Sequence, residues 1–242
     1  MADAKFDRGA PSEPFTFEGA GLSVSGLWTE AARPIAVAAI AHGAGAGMHH
    51  PFMTGAAEGL AAGGVSALRF NFPYMDARRR APDRPPVLQT TWHAAIQQAV
   101  PPDRGMPLVA GGKSMGGRIA SMLAAAQGED FAGAALVFFG YPLHPPGNSD
   151  RLRDAHLPGI RVPMLFIQGT RDPLARFDLV EAVVKRLEPL ARLHVVADGD
   201  HSFRVRGTKR SDRDIGQALG RVAAGFIRDV TARRGPPSSG AR

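Results

Sequence analysis

The segment Leu108-Val109-Ala110-Gly111-Gly112-Lys113-Ser114-Met115-Gly116-Gly117-Arg118-Ile119-Ala120 passes from a short apolar strand, through a glycine-flanked serine, straight into an alanine-rich helix. Gly112, Ser114 and Gly116 satisfy G-x-S-x-G, the pattern of a nucleophile elbow. The strand-to-helix turn is so sharp that a Cβ at either glycine would crowd neighbouring backbone, and Ser114 is expected to stand exposed at its tip. A chain built around such a turn must pack a helix back onto the sheet that feeds it.

A strand, a glycine-rich turn and a helix also describe a phosphate-binding loop, and Gly112-Lys113-Ser114 reproduces its GKS ending. The spacing excludes it, because G-x-x-x-x-G-K-[ST] requires a glycine where Pro107 stands. The run Gly43-Ala44-Gly45-Ala46-Gly47 resembles a dinucleotide fingerprint, yet G-x-G-x-x-G needs a glycine at Met48 or His50. Neither run carries a nucleotide-binding motif, and no cofactor is expected.

Around these motifs, apolar runs bounded by turn residues alternate with amphipathic, alanine-rich stretches, the pattern of a mostly parallel sheet with helices on both faces. Phe15 to Phe17 and Leu22 to Trp28, joined across Gly19-Ala20-Gly21, read as an opening antiparallel hairpin. Strands follow near Ile35 to Ala41, Val65 to Phe70, Leu108 to Gly111, Ala134 to Phe139, Met164 to Gln168 and Leu193 to Val196. Helices are expected over Met115 to Gln127, Leu174 to Leu187 and Ser211 to Val230, with further helical stretches in the gaps. The span between Phe139 and Met164 is too short for a large inserted cap, so the site should be open.

With 242 residues, 44% of them hydrophobic and 21% charged, the chain fits one globular α/β domain, expected over residues 12–232 with disordered ends at 1–11 and 233–242. The opening Met1 to Arg8 is polar, no stretch is long and apolar enough to span a bilayer, and a cytoplasmic protein is expected. Cysteine is absent, which excludes disulfides and thiolate metal ligands but fits either redox compartment. The formal charge of +7 concentrates in Arg78-Arg79-Arg80 and Arg84. That proline-rich segment reads as a solvated loop, because no interleaved aromatics or reading motif suggest nucleic acid.

A serine nucleophile needs a base, an orienting acid and an oxyanion hole. In an α/β-hydrolase the acid and then the histidine follow the serine, each beyond the carboxyl end of a later strand. Asp172 follows the strand ending near Gln168, in a turn-forming setting before Pro173, and His201 follows the strand ending near Val196. His42, His194 and Asp178 are poorer choices by position. Asp198 and Asp200 are second choices for the acid, since they lie too near His201 in sequence to reach its ring easily. The oxyanion donors are expected to be the backbone N–H groups of Met115 and of Ala44, in the loop beginning His42-Gly43. His42, Gly43 and Lys113 are expected to contact substrate, and Lys113 and Arg118 to attract an anionic group on it. Adjacent His49 and His50 lack the carboxylate spacing of a metal site, and no metal is expected.

The chain resembles the compact, dienelactone-hydrolase-like α/β-hydrolases, especially the group that includes testis-expressed protein 30 and the KAT8 regulatory complex subunit 3 domain. The resemblance covers nearly the whole chain and is carried by Ala41 to Ala46, Pro51 to Met53, Arg69 to Met75, Gly111 to Arg118, Gly140 to Gly147, Gln168 to Asp172 and Asp198 to His201. It implies an eight-stranded, mostly parallel sheet and the triad Ser114, Asp172 and His201, but no substrate. Dienelactone hydrolases use cysteine as nucleophile, so their particular reaction does not transfer. The expected activity is hydrolysis of small carboxylic esters or thioesters through an acyl-enzyme, with the oligomeric state open. The alternatives are a non-catalytic interaction module on the same fold and a serine peptidase.

Overall fold

The computed structural model describes residues 12–99 and 105–234. Eight strands form one sheet: β1 (Ser12–Gly19), β2 (Leu22–Thr29), β3 (Ala36–Ala41), β4 (Val65–Phe70), β5 (Leu108–Lys113), β6 (Ala135–Phe139), β7 (Met164–Gly169) and β8 (Ala191–Val196). Their spatial order is β1-β2-β4-β3-β5-β6-β7-β8. β1 and β2 pair antiparallel, as do β2 and β4, and every later pairing is parallel.

The parallel strands β3 to β7 are buried on both faces, with β8 as a half-exposed edge, and alternate residues serve opposite cores. Val37, Ala39 and Ala41 of β3 face one core with Leu68, Phe70, Leu136, Phe138 and Phe166. Ala36, Ala38 and Ile40 face the other with Val65, Val109, Val137 and Ile167. That is why these strands read as continuous apolar runs rather than alternating ones. Helices α3 (Pro85–Ala99), α4 (Met115–Gln127) and α5 (Phe177–Arg186) cover the first face, while α1 (Pro51–Ala62) and α6 (Asp212–Arg234) cover the second. The remaining helix, α2 (Pro73–Asp76), is one turn long and follows β4 directly.

The chain leaves β3 towards β4 on one side and returns to β5 on the other, so the strand order reverses between β3 and β5. A doubly wound sheet opens a crevice at that point, beyond the strand carboxyl ends. The loop after Ala41 and the turn after Lys113 flank it.

Some expected bounds shift. β5 runs to Lys113, so Ser114 directly follows the strand. α5 begins at Phe177 rather than Leu174, because the Asp172 carboxylate accepts from Leu174 N at 2.8 Å and holds a turn there. β8 begins at Ala191. α6 runs to Arg234, which puts Arg233 and Arg234 in the helix rather than in a disordered end; the disorder expected at 1–11 and 235–242 lies outside the described residues. The Arg78 to Arg84 segment is an exposed turn region in which Arg79 pairs with Asp83. Among the described residues, no helix is long and apolar enough to cross a membrane.

α1 and α6 approach backbone to backbone. A Cβ built on Gly55 would stand 2.0 Å from the Arg213 carbonyl oxygen, and one on Gly59 2.1 Å from that of Gln217. Gly216 and Gly220 meet the Phe52 and Ala56 carbonyls at 2.2 and 2.3 Å in the same way. Arg213 adds an ion pair to Glu58 across the seam. Alanine in mid-helix is ordinarily favoured over glycine by about 1 kcal/mol, whereas overpacking a close contact costs ~1–3 kcal/mol. Gly59→Ala should therefore destabilise the fold by about 2 kcal/mol in urea unfolding, the helix gain notwithstanding. Gly225→Ala, on the same α6 but facing open space, should leave the urea midpoint unchanged or raise it.

Candidate active site

Ser114 has φ 51 and ψ −115, a strained conformation for a residue with a side chain. The strain is held by packing. Cβ atoms built on Gly112, at φ 150, and on Gly116 would stand 2.2 and 2.4 Å from the carbonyl oxygen of Ala41. Both flanking glycines thus let the end of β3 press against the elbow. The turn is closed by Ser114 N donating to Phe139 O at 3.1 Å.

His201 reaches this serine from the loop after β8, with Nε2 2.9 Å from Ser114 Oγ, and its Nδ1 lies 2.7 Å from Asp172 Oδ2. An ionised carboxylate only accepts, so Nδ1 carries the proton and Nε2 is free to accept from the serine hydroxyl. The Asp172 side chain is fully buried. It is nonetheless fully bonded: Oδ2 also accepts from Gln168 Nε2 at 2.6 Å, and Oδ1 accepts from Leu174 N. Neither second-choice acid is the one bonded to the His201 ring. Asp200 Oδ1 caps its own turn by accepting from Ser202 N and Arg204 N, and Asp198 sits at φ 56 in the β8 exit turn.

The glycine-rich loop lies against the elbow, since a Cβ on Gly43 would be 3.6 Å from Ser114 Cβ. Among the described residues, the N–H groups of Ala44 and Met115 meet no acceptor. The loop is held from behind. His42 is completely buried, donates from Nδ1 to Gly43 O at 2.7 Å and accepts from Phe72 N through Nε2 at 3.1 Å. Tyr74 donates its hydroxyl to Ala44 O at 2.9 Å, and Asn71 Oδ1 accepts from Met48 N. With both ring nitrogens committed to backbone, His42 sits beneath the loop and braces it, and the cavity lining includes Gly43 and Lys113 but not His42. Burial pushes the His42 imidazole down to about 4.

Lys113 turns its ammonium towards His201 rather than outwards. Its Nζ donates to the His201 carbonyl at 2.6 Å and stands 5.2 Å from the Phe203 ring centre and 6.0 Å from that of Phe52. Burial lowers it to about 8, against the opposing pull of Asp172 and Asp200. Arg118 is not among the cavity-lining residues. Its charge holds the neighbouring His156 and Arg153 below their ordinary values, in each case after desolvation as the larger cause.

Several positioning residues were not singled out from the sequence. Gln168, the penultimate residue of β7 and fully buried, links Asp172 to Tyr141 N. His144 donates to Pro145 O and accepts from Arg176 N, steadying the turn after Asp172. A polar residue closing an otherwise apolar strand is the signal that marks Gln168. His144 and Tyr74 carry no comparable local signal.

The cavity over Ser114 measures about 360 Å³ and is lined mainly by the glycine-alanine loop, Phe52, Met53 and Leu174, with Lys113 and His201 beside the serine. The lining also includes His50, Ser202 and Asp212.

A family described as alpha/beta hydrolase domain matches residues 34–230. Among solved structures, the chain is similar to a dienelactone hydrolase from Anabaena variabilis, at 19% identity and TM-score 0.71 over 92% of this chain and 99% of that one. It is similar to an α/β serine hydrolase without lid from Xanthomonas campestris, at 20% identity and TM-score 0.68 over 95% and 97% of the two chains. An esterase domain from Rhodothermus marinus matches at 16% identity and TM-score 0.68 over 90% and 98%. At these identities the likeness is one of fold.

Two outcomes follow from this geometry. Ser114→Gly relieves the positive φ while Ser114→Ala does not, and both lose the hydroxyl; the glycine variant should be more stable than the alanine variant by about 1–2 kcal/mol in urea unfolding. His42 is buried neutral, so the unfolded chain binds its proton more readily than the folded one, and stability falls as pH drops from about 6.5 towards 4. The full effect is on the order of 3 kcal/mol. A His42→Gln variant should lose the part of the slope in that window that belongs to the imidazole, as read from urea midpoints at a series of pH values.

Proposed function

The chain belongs to the alpha/beta hydrolase family, and on that premise we propose that it is a serine hydrolase cleaving carboxylic esters or thioesters of small acyl groups. The observation that carries this reading is the unbroken hydrogen-bond relay from Ser114 Oγ through the His201 ring to Asp172. His201 takes the serine proton at Nε2 as Oγ attacks the ester carbonyl, and Asp172 stabilises the imidazolium without itself becoming protonated. The negative charge on the carbonyl oxygen is met by the N–H groups of Ala44 and Met115, each worth on the order of 3 kcal/mol in such a role. The imidazolium then protonates the departing alcohol or thiol. Water, deprotonated by His201, resolves the acyl-enzyme to the free acid.

The apolar cavity of about 360 Å³ suits a short acyl or alkoxy chain, and the lid-less and esterase relatives named above fit the same reading. A single domain over residues 12–232 would carry the activity, in the cytoplasm. Gly43 supports the substrate side of the site, Lys113 holds the His201 loop, and His42 contributes through the loop it braces. The finer likeness to the testis-expressed protein 30 group rests on sequence segments and supplies no substrate.

A fluorophosphonate probe should label the folded wild-type chain and leave Ser114→Ala unlabelled. p-Nitrophenyl acetate and butyrate should be hydrolysed while peptide amides are not, and Asp172→Asn should lower kcat by about 10⁴-fold. No Ser114-dependent adduct on folded protein would overturn the proposal in favour of a non-catalytic module. Turnover of amides without esters would replace it with a peptidase.

A further inference from the structure

The rim of the cavity opposite the reading above has chemistry of its own. His50 is the N-cap of α1 and accepts from Phe52 N through Nδ1 at 3.2 Å. With Nδ1 serving as an acceptor, the ring proton of the neutral imidazole sits on Nε2. Among the described residues, Nε2 has no partner within hydrogen-bond reach; the nearest carboxylate oxygen, Asp212 Oδ2, is 3.9 Å away. Asp212 opens α6 and is clamped by Arg204, whose Nε and Nη2 donate to Oδ1 and Oδ2 at 2.8 Å each. That pairing holds its carboxyl below the usual carboxylate range, so it faces the cavity as an acceptor. Both residues line the same cavity as Ser114.

A fixed donor and a fixed acceptor 3.9 Å apart leave room for one oxygen about 2.8–2.9 Å from each, and that oxygen must accept from one side and donate to the other. A hydroxyl does both. A carboxylate or a carbonyl brings only acceptors to Asp212, and an ammonium brings only donors to the His50 N–H and the nearby Arg204. We infer that His50 and Asp212 form a hydroxyl-recognition subsite, and that the preferred substrates are esters whose acyl or alkoxy chain carries a hydroxyl group. This inference rests on the esterase reading for the ester bond, but the subsite itself does not depend on turnover.

The test compares hydrolysis of methyl esters of alkanoic acids with their hydroxyalkanoic counterparts, the hydroxyl moved along the chain from C2 to C6, and of alkyl with hydroxyalkyl esters of one acid. Wild-type kcat/KM should favour the hydroxylated member at one position or more by about tenfold, and carboxylated or aminated analogues should show no such gain. His50→Asn keeps a capping acceptor for α1 but withdraws the Nε2 donor, and the hydroxyl preference should fall to about one. Fluorophosphonate labelling of Ser114 in the variant shows that the site is still assembled. Absence of a hydroxyl preference in both wild-type series overturns the inference, as does a preference that survives His50→Asn unchanged. If no ester is turned over, the esterase reading alone fails, and calorimetric titration with hexanamide and its monohydroxylated forms decides the subsite. Binding about tenfold tighter for a hydroxylated amide supports it, and equal binding overturns it.

Discussion

The carbonyl oxygen of Ala41 is the point on which the site is built. It sits 2.2 Å and 2.4 Å from where Cβ atoms at Gly112 and Gly116 would be, so the end of β3 and the elbow occupy space that no other residue pair would leave them. One contact thereby fixes two things. It forces the chain at Ser114 through a positive φ that lifts the hydroxyl clear of strand and helix, and it places the loop after Ala41 alongside that hydroxyl. The strain at Ser114, on the order of 1–3 kcal/mol for such a conformation, is sustained because the strands on either side are buried and hydrogen-bonded along their length.

What surrounds this contact is a set of neutral polar braces rather than ion pairs. His42, His144 and His201 each donate through Nδ1 and accept through Nε2. In two of them both partners are backbone groups, so the ring joins two segments of chain at fixed spacing; in His201 the partners are the Asp172 carboxylate and the Ser114 hydroxyl. A charged brace under the oxyanion loop would carry a desolvation cost in a buried position, which the neutral imidazole of His42 avoids.

This division explains what could be read from the sequence. The parallel strands β3 to β7 are legible because burial on both faces makes them largely apolar, and the elbow is legible because its glycines answer a local steric demand. Asp172 and His201 were placed by their position after β7 and β8, and the structure brings both to Ser114. The braces were not legible in this way, since His42 to Phe72, Tyr74 to Ala44 and His144 to Arg176 each join segments about 30 residues apart, with no local pattern. Lys113 reads as a substrate contact from its variable position in the elbow; it lines the cavity, and its ammonium answers to a carbonyl 88 residues later, a contact with no local signal. α3 had no bounds assigned, as it begins at a proline pair after a basic loop and mixes Thr91, His93 and Gln97 with its apolar face. α5 was drawn too early because the turn held by Asp172 looks like continuing helix.

Two layers of the fold meet at the cavity. Ala44, Ser114, Asp172 and His201 all lie beyond the carboxyl ends of β3, β5, β7 and β8, and their spacing is set by sheet register. His50 and Asp212, which line the same cavity, stand at the N-cap of α1 and at the first residue of α6, two helices joined by the glycine seam. Because the seam packs main chain against main chain, it has little freedom to slide, and the His50 to Asp212 gap inherits that rigidity. The two layers meet at Phe52, whose carbonyl packs in the seam while its ring stacks on Phe203 beside the Lys113 ammonium that holds the His201 carbonyl.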